Sequence, residues 1–210
     1  MIHCDATGDL WRVTIDRPNK AGALTRDMLA DLANIAERAK DAKAIIFGGT
    51  GTVFSAGADL EQARAGLAVD PVWERLSNAV AALPGLTIAA LNGTVAGGAM
   101  GMVLACDLRI AVPQAKFFYP VMKLGYLPQP SDPARLAALV GPARAKMILM
   151  AGQKIRAEEA LHWGLIDRIV PAQMLSEQVD DLVHDVMNAD PTLVAGIKQM
   201  IPAGYDGTNS

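Results

Sequence analysis

The 210-residue chain is 51% hydrophobic and 20% charged, which supplies material for a buried core and excludes a wholly disordered protein. At this length we expect one main domain. A formal net charge of −3 gives no general attraction to nucleic acid or to an anionic membrane surface, so neither is a predicted partner.

The first part of the chain alternates between strand and helix patterns. Apolar and polar residues alternate over 10–16 and predict a strand, and Thr25 is a suitable N-cap for the helix that follows. The continuous apolar run at 44–47 predicts a buried strand. Residues 61–70 show no firm period and are interpreted as a mobile loop, whereas 72–83 again have the spacing of a helix.

The middle of the chain repeats this alternation before helices accumulate. The pattern predicts strands at 87–91 and 108–111, with a small-residue helix from about Gly97 to Ala105 between them. Beyond Pro133 the chain is predicted to be mainly helical, apart from a short strand at 167–170. This order is typical of an α/β core with a helical tail.

Cysteine content and the apolar runs bear on the cellular setting. The first residues lack the basic and apolar segments of a secretory signal, and the run from Val95 to Cys106 is too short to cross a bilayer. Cys4 and Cys106 form no disulfide framework and have no neighbouring histidines for a zinc site. We therefore predict a cytoplasmic protein without a metal site.

Two segments run from a strand through glycines into a helix, namely Phe54–Leu60 and Asn92–Ala99. Glycine permits close backbone approach, and the N–H groups at such turns have no partner within the helix. Two sets brought together would stabilise an oxygen on which negative charge develops. The alternative is that the glycines only let strand and helix pack tightly.

Both segments, in this order and at this separation, resemble the crotonase, or enoyl-CoA hydratase/isomerase, family. Four further pieces extend the resemblance over nearly the whole chain: Ile15–Pro18, Cys106–Ala111, Lys123–Gly125 and Ala157–Pro171. The resemblance implies an α/β fold, a crotonase-like spiral of β-β-α repeats with a shortened C-terminal helical region. The spiral core would span 1–170, and 171–210 would be a truncated helical segment ending in a flexible tail over 203–210.

The resemblance also implies a substrate class and an assembly. Members bind acyl-coenzyme A thioesters, share an enolate as the chemical intermediate, and assemble as trimers that often pair into hexamers. We accordingly expect coenzyme A to enter only as part of the substrate, with no permanently bound cofactor. A homotrimer or hexamer is the expected assembly.

Site residues follow by position from the resemblance. The backbone N–H groups of Ala58 and Gly98 would bond the thioester oxygen as it gains negative charge. The Ala56 carbonyl and Leu60 would face the adenine of coenzyme A. Lys20 is a candidate for binding a coenzyme A phosphate, with an ordinary solvated lysine as the alternative.

Three positions at which the family places an acid are neutral in this sequence, where they hold Gly101, Val121 and Gln129. Hydration of a conjugated thioester by two glutamates needs a base on one side and an acid on the other. The usual hydratase mechanism is therefore not predicted.

Asp132 and Tyr119 are the candidate replacements for the missing acids and bases. Asp132 also fits a helix N-cap followed by proline at the first helical position, which is the favoured interpretation. Tyr119 also fits a core position. Two functions stay open: an acyl-CoA enzyme with an unusual proton-transfer group, and a non-catalytic crotonase-fold protein that binds acyl-CoA or a protein partner.

Overall fold

The strands of the protein form two sheets. The computed structural model describes residues 1–201. The strands in this part are β1 (Ile2–Thr7), β2 (Leu10–Ile15), β3 (Ala44–Gly49), β4 (Val53–Ser55), β5 (Leu86–Leu91), β6 (Thr94–Ala96), β7 (Leu108–Ala111), β8 (Lys116–Phe118), β9 (Ile155–Arg156) and β10 (Arg168–Ile169). The larger sheet has the order β1-β2-β3-β5-β7-β10, and the smaller has the order β4-β6-β8-β9.

Helices separate the strand pairs and cover the sheets. They are α1 (Arg26–Arg38), α2 (Leu60–Arg64), α3 (Val72–Ala81), α4 (Ala99–Ala105), α5 (Val121–Leu124), α6 (Asp132–Val140), α7 (Pro142–Leu149), α8 (Ala157–Trp163), α9 (Leu175–Asn188) and α10 (Pro191–Met200). Short 3-10 turns lie at Pro18–Lys20, Ala39–Asp41, Leu67–Val69 and Ala172–Met174.

The chain passes from the larger to the smaller sheet three times in succession. β3, β5 and β7 are parallel neighbours in the larger sheet, and each is followed by a strand of the smaller sheet, β4, β6 or β8. Helices follow each of these strand pairs. The predicted spiral of β-β-α repeats is therefore present, and it places equivalent turns of successive repeats side by side.

Helix α1 has the N-cap and the buried apolar face that its sequence predicts. The Thr25 side chain accepts a hydrogen bond from the Met28 N–H at 3.3 Å, so the predicted N-cap is confirmed. Leu29, Leu32 and Ala36 recur at helical spacing and are fully buried. Burial of each leucine contributes about 1.5–3 kcal/mol, so this face holds the helix against the core.

One expectation about local structure is wrong, and one strand was not predicted. Residues 61–70 are not a continuous loop, because α2 and the 3-10 turn Leu67–Val69 occupy most of them. Both helical pieces are shorter than two turns, so no period could show in the sequence. β1 gave no alternating pattern because all of its residues except Ile2 are exposed, and it pairs only at the antiparallel edge of the larger sheet.

The chain after β10 returns to the larger sheet. Leu175, Val179 and Val183 of α9 are buried and pack α9 against this sheet. In α10, the Lys198 ammonium donates to the Asp107 carboxylate at 2.7 Å and holds the helix end to the core. The flexible tail predicted over 203–210 lies outside the described residues. None of the helices in residues 1–201 has the length and hydropathy needed to cross a membrane.

Candidate active site

The first glycine turn leaves β4 and presents the N–H of Ala58. The Ser55 hydroxyl donates to the Gly22 carbonyl at 2.8 Å and accepts from the Gly57 N–H at 3.1 Å. Gly57 has φ +90°, a conformation that side chains disfavour. Leu24 bonds the residues on either side of Ala58. The Leu24 N–H donates to the Gly57 carbonyl and the Leu24 carbonyl accepts from the Asp59 N–H, both at 2.8 Å. These bonds fix the Ala58 N–H without using it.

The second glycine turn leaves β6 and presents the N–H of Gly98. Gly97 has φ +58°, and its N–H donates to the Phe118 carbonyl of β8 at 3.1 Å. Gly98 is the residue before α4 and accepts the Gly101 N–H at 3.0 Å. Its backbone is therefore held by its neighbours on both sides.

The structure brings the two turns into contact. β4 and β6 are parallel neighbours, so their carboxyl ends leave the same edge of the smaller sheet. A methyl group at Gly57 would lie 2.8 Å from the Ala96 carbonyl oxygen and 3.4 Å from Gly97 Cα, so this approach requires glycine. Within residues 1–201, neither the Ala58 nor the Gly98 N–H has a hydrogen-bond acceptor.

Backbone N–H groups at the start of a helix have no partner within the helix, and two such donors on touching turns can bond an oxygen that carries negative charge. Ala58 and Gly98 are both only partly buried. Tight packing alone would explain why Gly57 is a glycine. It would not explain why the Ala58 and Gly98 N–H groups have no acceptor within residues 1–201.

The residues predicted to contact coenzyme A lie around the first turn. The loop that contains Lys20 packs along it, since the Ala56 N–H donates to the Ala21 carbonyl at 2.9 Å. Lys20 and Ala56 are exposed, and the Leu60 side chain is 76% exposed. These three residues therefore share one surface beside the Ala58 N–H.

Asp59 has a structural role next to that surface, as its local hydrogen bonds show. Its carboxylate accepts from Arg17 Nη1 at 2.8 Å and from the Glu61 N–H at 3.2 Å. The bond from Arg17 is the main cause that lowers the pKa of Asp59. The same guanidinium donates to the Ala23 carbonyl at 2.9 Å, so it ties the Lys20 loop to the start of α2.

Asp132 and Tyr119 are brought together behind the second turn. The Tyr119 hydroxyl donates to Asp132 Oδ2 at 2.8 Å, and both side chains are buried. The interpretation of Asp132 as an N-cap is wrong, because α6 begins at Asp132, its N-cap is Ser131, and Pro133 is the second helical residue. The Asp132 carboxylate points into the protein instead of capping its own helix.

Burial sets the protonation of this pair. Desolvation raises the pKa of Asp132 to about 6, opposed by the hydrogen bond from Tyr119. Burial and the neighbouring carboxylate also raise the pKa of Tyr119 well above its ordinary value. The tyrosine therefore stays neutral, and Asp132 changes charge near neutral pH.

The three neutral positions have different surroundings. Gly101 lies in α4 directly against Asp132, where a methyl group would be 2.7 Å from Oδ1. Val121 opens α5 and is 8% exposed. Gln129 is also 8% exposed, and its carbonyl accepts the Asp132 N–H at 3.1 Å. Gly101 and Gln129 thus lie around the one buried carboxylate of this region.

Two residues of α3 complete the surroundings and were missed by sequence reasoning. A methyl group at Gly98 would lie 2.8 Å from the indole ring of Trp73, whose Nε1 donates to the Leu67 carbonyl at 2.8 Å. Glu74 Oε2 accepts the Ser131 N–H at 3.3 Å. Only the helical period of α3 was visible in the sequence, and it does not say which helix Trp73 and Glu74 face.

Catalysis by a metal or a free thiol has little support in the described residues. No group of three or more metal-binding side chains occurs within residues 1–201. Cys106 is buried, and desolvation raises its pKa to about 12, so it stays a neutral thiol. The groups that the described residues bring to this region are the two backbone N–H groups and the Asp132–Tyr119 pair.

Comparison with known proteins gives consistent matches. The Enoyl-CoA hydratase/isomerase family profile matches residues 5–210. Carnitinyl-CoA dehydratase of Citrobacter koseri is 33% identical over 215 residues, covering 96% of this chain and 80% of that protein. The crystal structure of enoyl-CoA hydratase from Bacillus anthracis has a TM-score of 0.85 at 31% identity, covering 94% of this chain and 81% of that one.

A second solved structure, an enoyl-CoA hydratase/isomerase from Pseudoalteromonas atlantica, has a TM-score of 0.87 at 27% identity, covering 95% of this chain and 81% of that one. These matches extend over both sheets and both glycine turns. The predicted family and α/β fold are confirmed. The chain belongs to the enoyl-CoA hydratase/isomerase, or crotonase, family.

Proposed function

We propose that the protein is an enzyme that binds acyl-coenzyme A thioesters and stabilises the thioester enolate with the backbone N–H groups of Ala58 and Gly98. The observation that carries this proposal is the contact between two glycine turns, each with an N–H group that has no acceptor within residues 1–201. Family membership supplies the substrate class.

The two N–H groups suit the charge that the reaction creates. Removing a proton from the carbon next to a thioester moves negative charge onto the carbonyl oxygen. Fixed backbone donors stabilise that charge without reorganising, and loss of one donor in such a site costs roughly 10²–10³ in rate. The hydrogen bonds around Gly57, Gly97 and Leu24 keep the donors in place before substrate binds.

Coenzyme A would bind on the surface around the first turn. In this proposal the Ala56 carbonyl and Leu60 contact the adenine, and Lys20 neutralises a phosphate. The exposure of all three residues beside Ala58 supports this arrangement. Coenzyme A then enters and leaves as part of the substrate.

The reaction belongs to the lyase or isomerase class in this proposal. The carnitinyl-CoA dehydratases that the chain resembles are lyases by name. The ordinary two-glutamate mechanism is not proposed, because Gly101 and Val121 offer no carboxylate. Proton transfer must use another group.

We also propose a homotrimer or hexamer as the assembly. Exposed apolar side chains in and after α5 support an interface, since Met122, Leu124 and Leu127 are 58%, 58% and 85% exposed. Size-exclusion chromatography with light scattering checks this assembly, and a monomer at micromolar concentration would contradict it.

Isothermal titration calorimetry tests the binding part of the proposal. Coenzyme A, acetyl-CoA, butyryl-CoA, crotonyl-CoA and carnitinyl-CoA are titrated into the protein. We expect saturable binding of at least one thioester and weaker binding in the Lys20→Ala variant, with the exposed Lys40→Ala as a matched control. Absence of binding to every thioester would overturn the proposal. Binding without turnover on any of them would favour the non-catalytic alternative.

A further inference from the structure

The space beside Gly101 is filled by the side chain of another helix. A methyl group at this position would lie 2.7 Å from Asp132 Oδ1, 3.0 Å from Oδ2 and 3.2 Å from Cγ. The first distance is shorter than real carbon contacts and the other two are tighter than most, so a residue larger than glycine fits only if Asp132 moves. Gly101 lies one helical turn after Gly98, and α6 thus delivers a carboxylate beside α4.

One oxygen of that carboxylate is unsatisfied. Asp132 has no exposed surface, and while Oδ2 accepts the Tyr119 hydroxyl, Oδ1 has no hydrogen-bond partner within residues 1–201. Burying such an atom without a partner destabilises the fold, which makes an unpartnered carboxylate oxygen rare in native proteins. An N-cap role would have paired this oxygen with a backbone N–H. Oδ1 is therefore the carboxylate oxygen of Asp132 that is free to bind a proton or a ligand.

We infer that Asp132 is the catalytic base of the thioester site, with Oδ1 taking a proton from the carbon next to the thioester carbonyl. The inference deepens the proposed function and rests on it. In the step, the C–H bond breaks, its electron pair forms the enolate whose oxygen accepts from the Ala58 and Gly98 N–H groups, and the proton forms an O–H bond on Asp132. Returning the proton to the same or another carbon regenerates the carboxylate.

Tyr119 is a positioning residue in this arrangement. Its hydroxyl occupies Oδ2 and orients the carboxylate, so that only Oδ1 is free to take a proton. Because the tyrosine remains neutral, it donates to the charged form of Asp132 and favours that form. The pair provides one base and no second acid, which suits proton removal and return at a thioester.

Charged groups from the neighbouring helices tune the base. Glu74 of α3 faces the pair through its bond to Ser131 and raises the pKa of Asp132, whereas Arg135 of α6 lowers it. α4 presents Gly101 and apolar residues to Asp132, with no charged group. With a pKa of about 6, most of the Asp132 population is the carboxylate at pH 7 and can act as a base.

Hydrogen–deuterium exchange at the α-carbon of butyryl-CoA tests the inference without knowledge of the natural reaction. The protein is incubated with butyryl-CoA in D₂O and loss of the α-proton signal is followed by NMR. We expect exchange by the wild type and at least roughly 100-fold slower exchange by Asp132→Asn, since a positioned base contributes about 10²–10⁴ in rate. The exposed Asp31→Asn is the matched control and should match the wild type.

Measuring thioester binding distinguishes failure of the proposed function from failure of the inference about Asp132. If no thioester binds to the wild type, the proposed function fails and the inference with it. If butyryl-CoA binds but the wild type does not exchange its α-protons, the inference is overturned and only the thioester-binding part of the proposed function stands. Exchange by Asp132→Asn within threefold of the wild type, with equal binding, also overturns it.

The pH profile keeps the inference testable even if Asp132→Asn does not fold. Exchange by the wild type should rise with pH and level off above an inflection near 6. Tyr119→Phe should move the inflection upward and Glu74→Gln should move it downward, because the two groups act on Asp132 in opposite directions. A profile with no inflection between pH 5 and 7, or one that neither variant moves, contradicts the inference.

Discussion

The two halves of the candidate site differ in how the chain supplies their chemistry. Around Ala58 and Gly98 the donors are backbone N–H groups, and the sequence requirement is for small residues and for two strands in parallel register. Around Gly101 the group that we propose to be reactive is a side-chain carboxylate, which comes from Asp132 of α6. A backbone site is thus kept by preserving the turns, whereas a side chain can be replaced by another that reaches the same space.

The largest expected effect is a loss of stability when the packing behind the second glycine turn is removed. Trp73 is 3% exposed, and its ring lies against Gly98. Trp73→Ala should lower the free energy of unfolding by about 3–5 kcal/mol, because it removes a large buried ring. Urea unfolding measures this loss. Trp163→Ala, at a partly buried tryptophan, is the control and should cost less; equal losses would show that Trp73 has no special role at the turn.

Removing the Ala58 N–H tests the backbone donors more selectively. Ala58→Pro deletes the N–H and should reduce turnover of an active thioester by roughly 10²–10³, or about 2.7–4 kcal/mol of transition-state stabilisation. Ala58→Gly keeps the N–H and is the matched control. Steady-state kinetics compares the two variants after calorimetry has shown that both bind substrate. Equal rates would show that this N–H is not used.

The sequence predicts the backbone part of the candidate site better than the side-chain part. The glycine turns could be located from residues 54–60 and 92–99, because the positive φ values at Gly57 and Gly97 favour glycine, which is visible in the sequence. The contact between them follows from parallel pairing of β4 and β6. Local chemistry thus located the two turns, while the choice of Ala58 and Gly98 came from the family resemblance and the pairing of β4 with β6 came from the structure.

The sequence named Asp132 and Tyr119 as candidates, but their contacts could not be predicted because they depend on how helices pack. Ser131-Asp132-Pro133 fits an N-cap locally, and only the position of α6 against α4 turns Asp132 toward Gly101. Trp73 and Glu74 have ordinary positions in an amphipathic helix, and their neighbours come from distant parts of the chain. No local pattern carries these contacts.

Asp132 should also give the stability of the protein an unusual pH dependence. Its folded pKa of about 6 lies above the ordinary value, so the folded state binds more protons than the unfolded state between about pH 4 and 6. Its contribution to stability is therefore present at low pH and is lost as pH rises through 6. Full loss amounts to about 3 kcal/mol.

Urea unfolding of the wild type and Asp132→Asn at pH 4, 5, 6 and 7 measures this dependence. The variant should gain stability relative to the wild type as pH rises, and the difference should level off above pH 7. Using the difference between the two proteins cancels carboxylates such as Asp59, whose lowered pKa acts in the opposite direction. Parallel curves for the two proteins would show that Asp132 is not perturbed by burial.

The smallest effect tests whether Gly101 and Asp132 share one space. Gly101→Ala should destabilise the protein by about 1–3 kcal/mol, because the new methyl group would lie 2.7 Å from Asp132 Oδ1. In an Asp132→Ala background the same change should cost much less, since the carboxylate that it meets is gone. Urea unfolding of the four proteins gives the coupling energy between the sites. Additive effects would mean that α4 has room for a side chain at residue 101, and the glycine would then need another explanation.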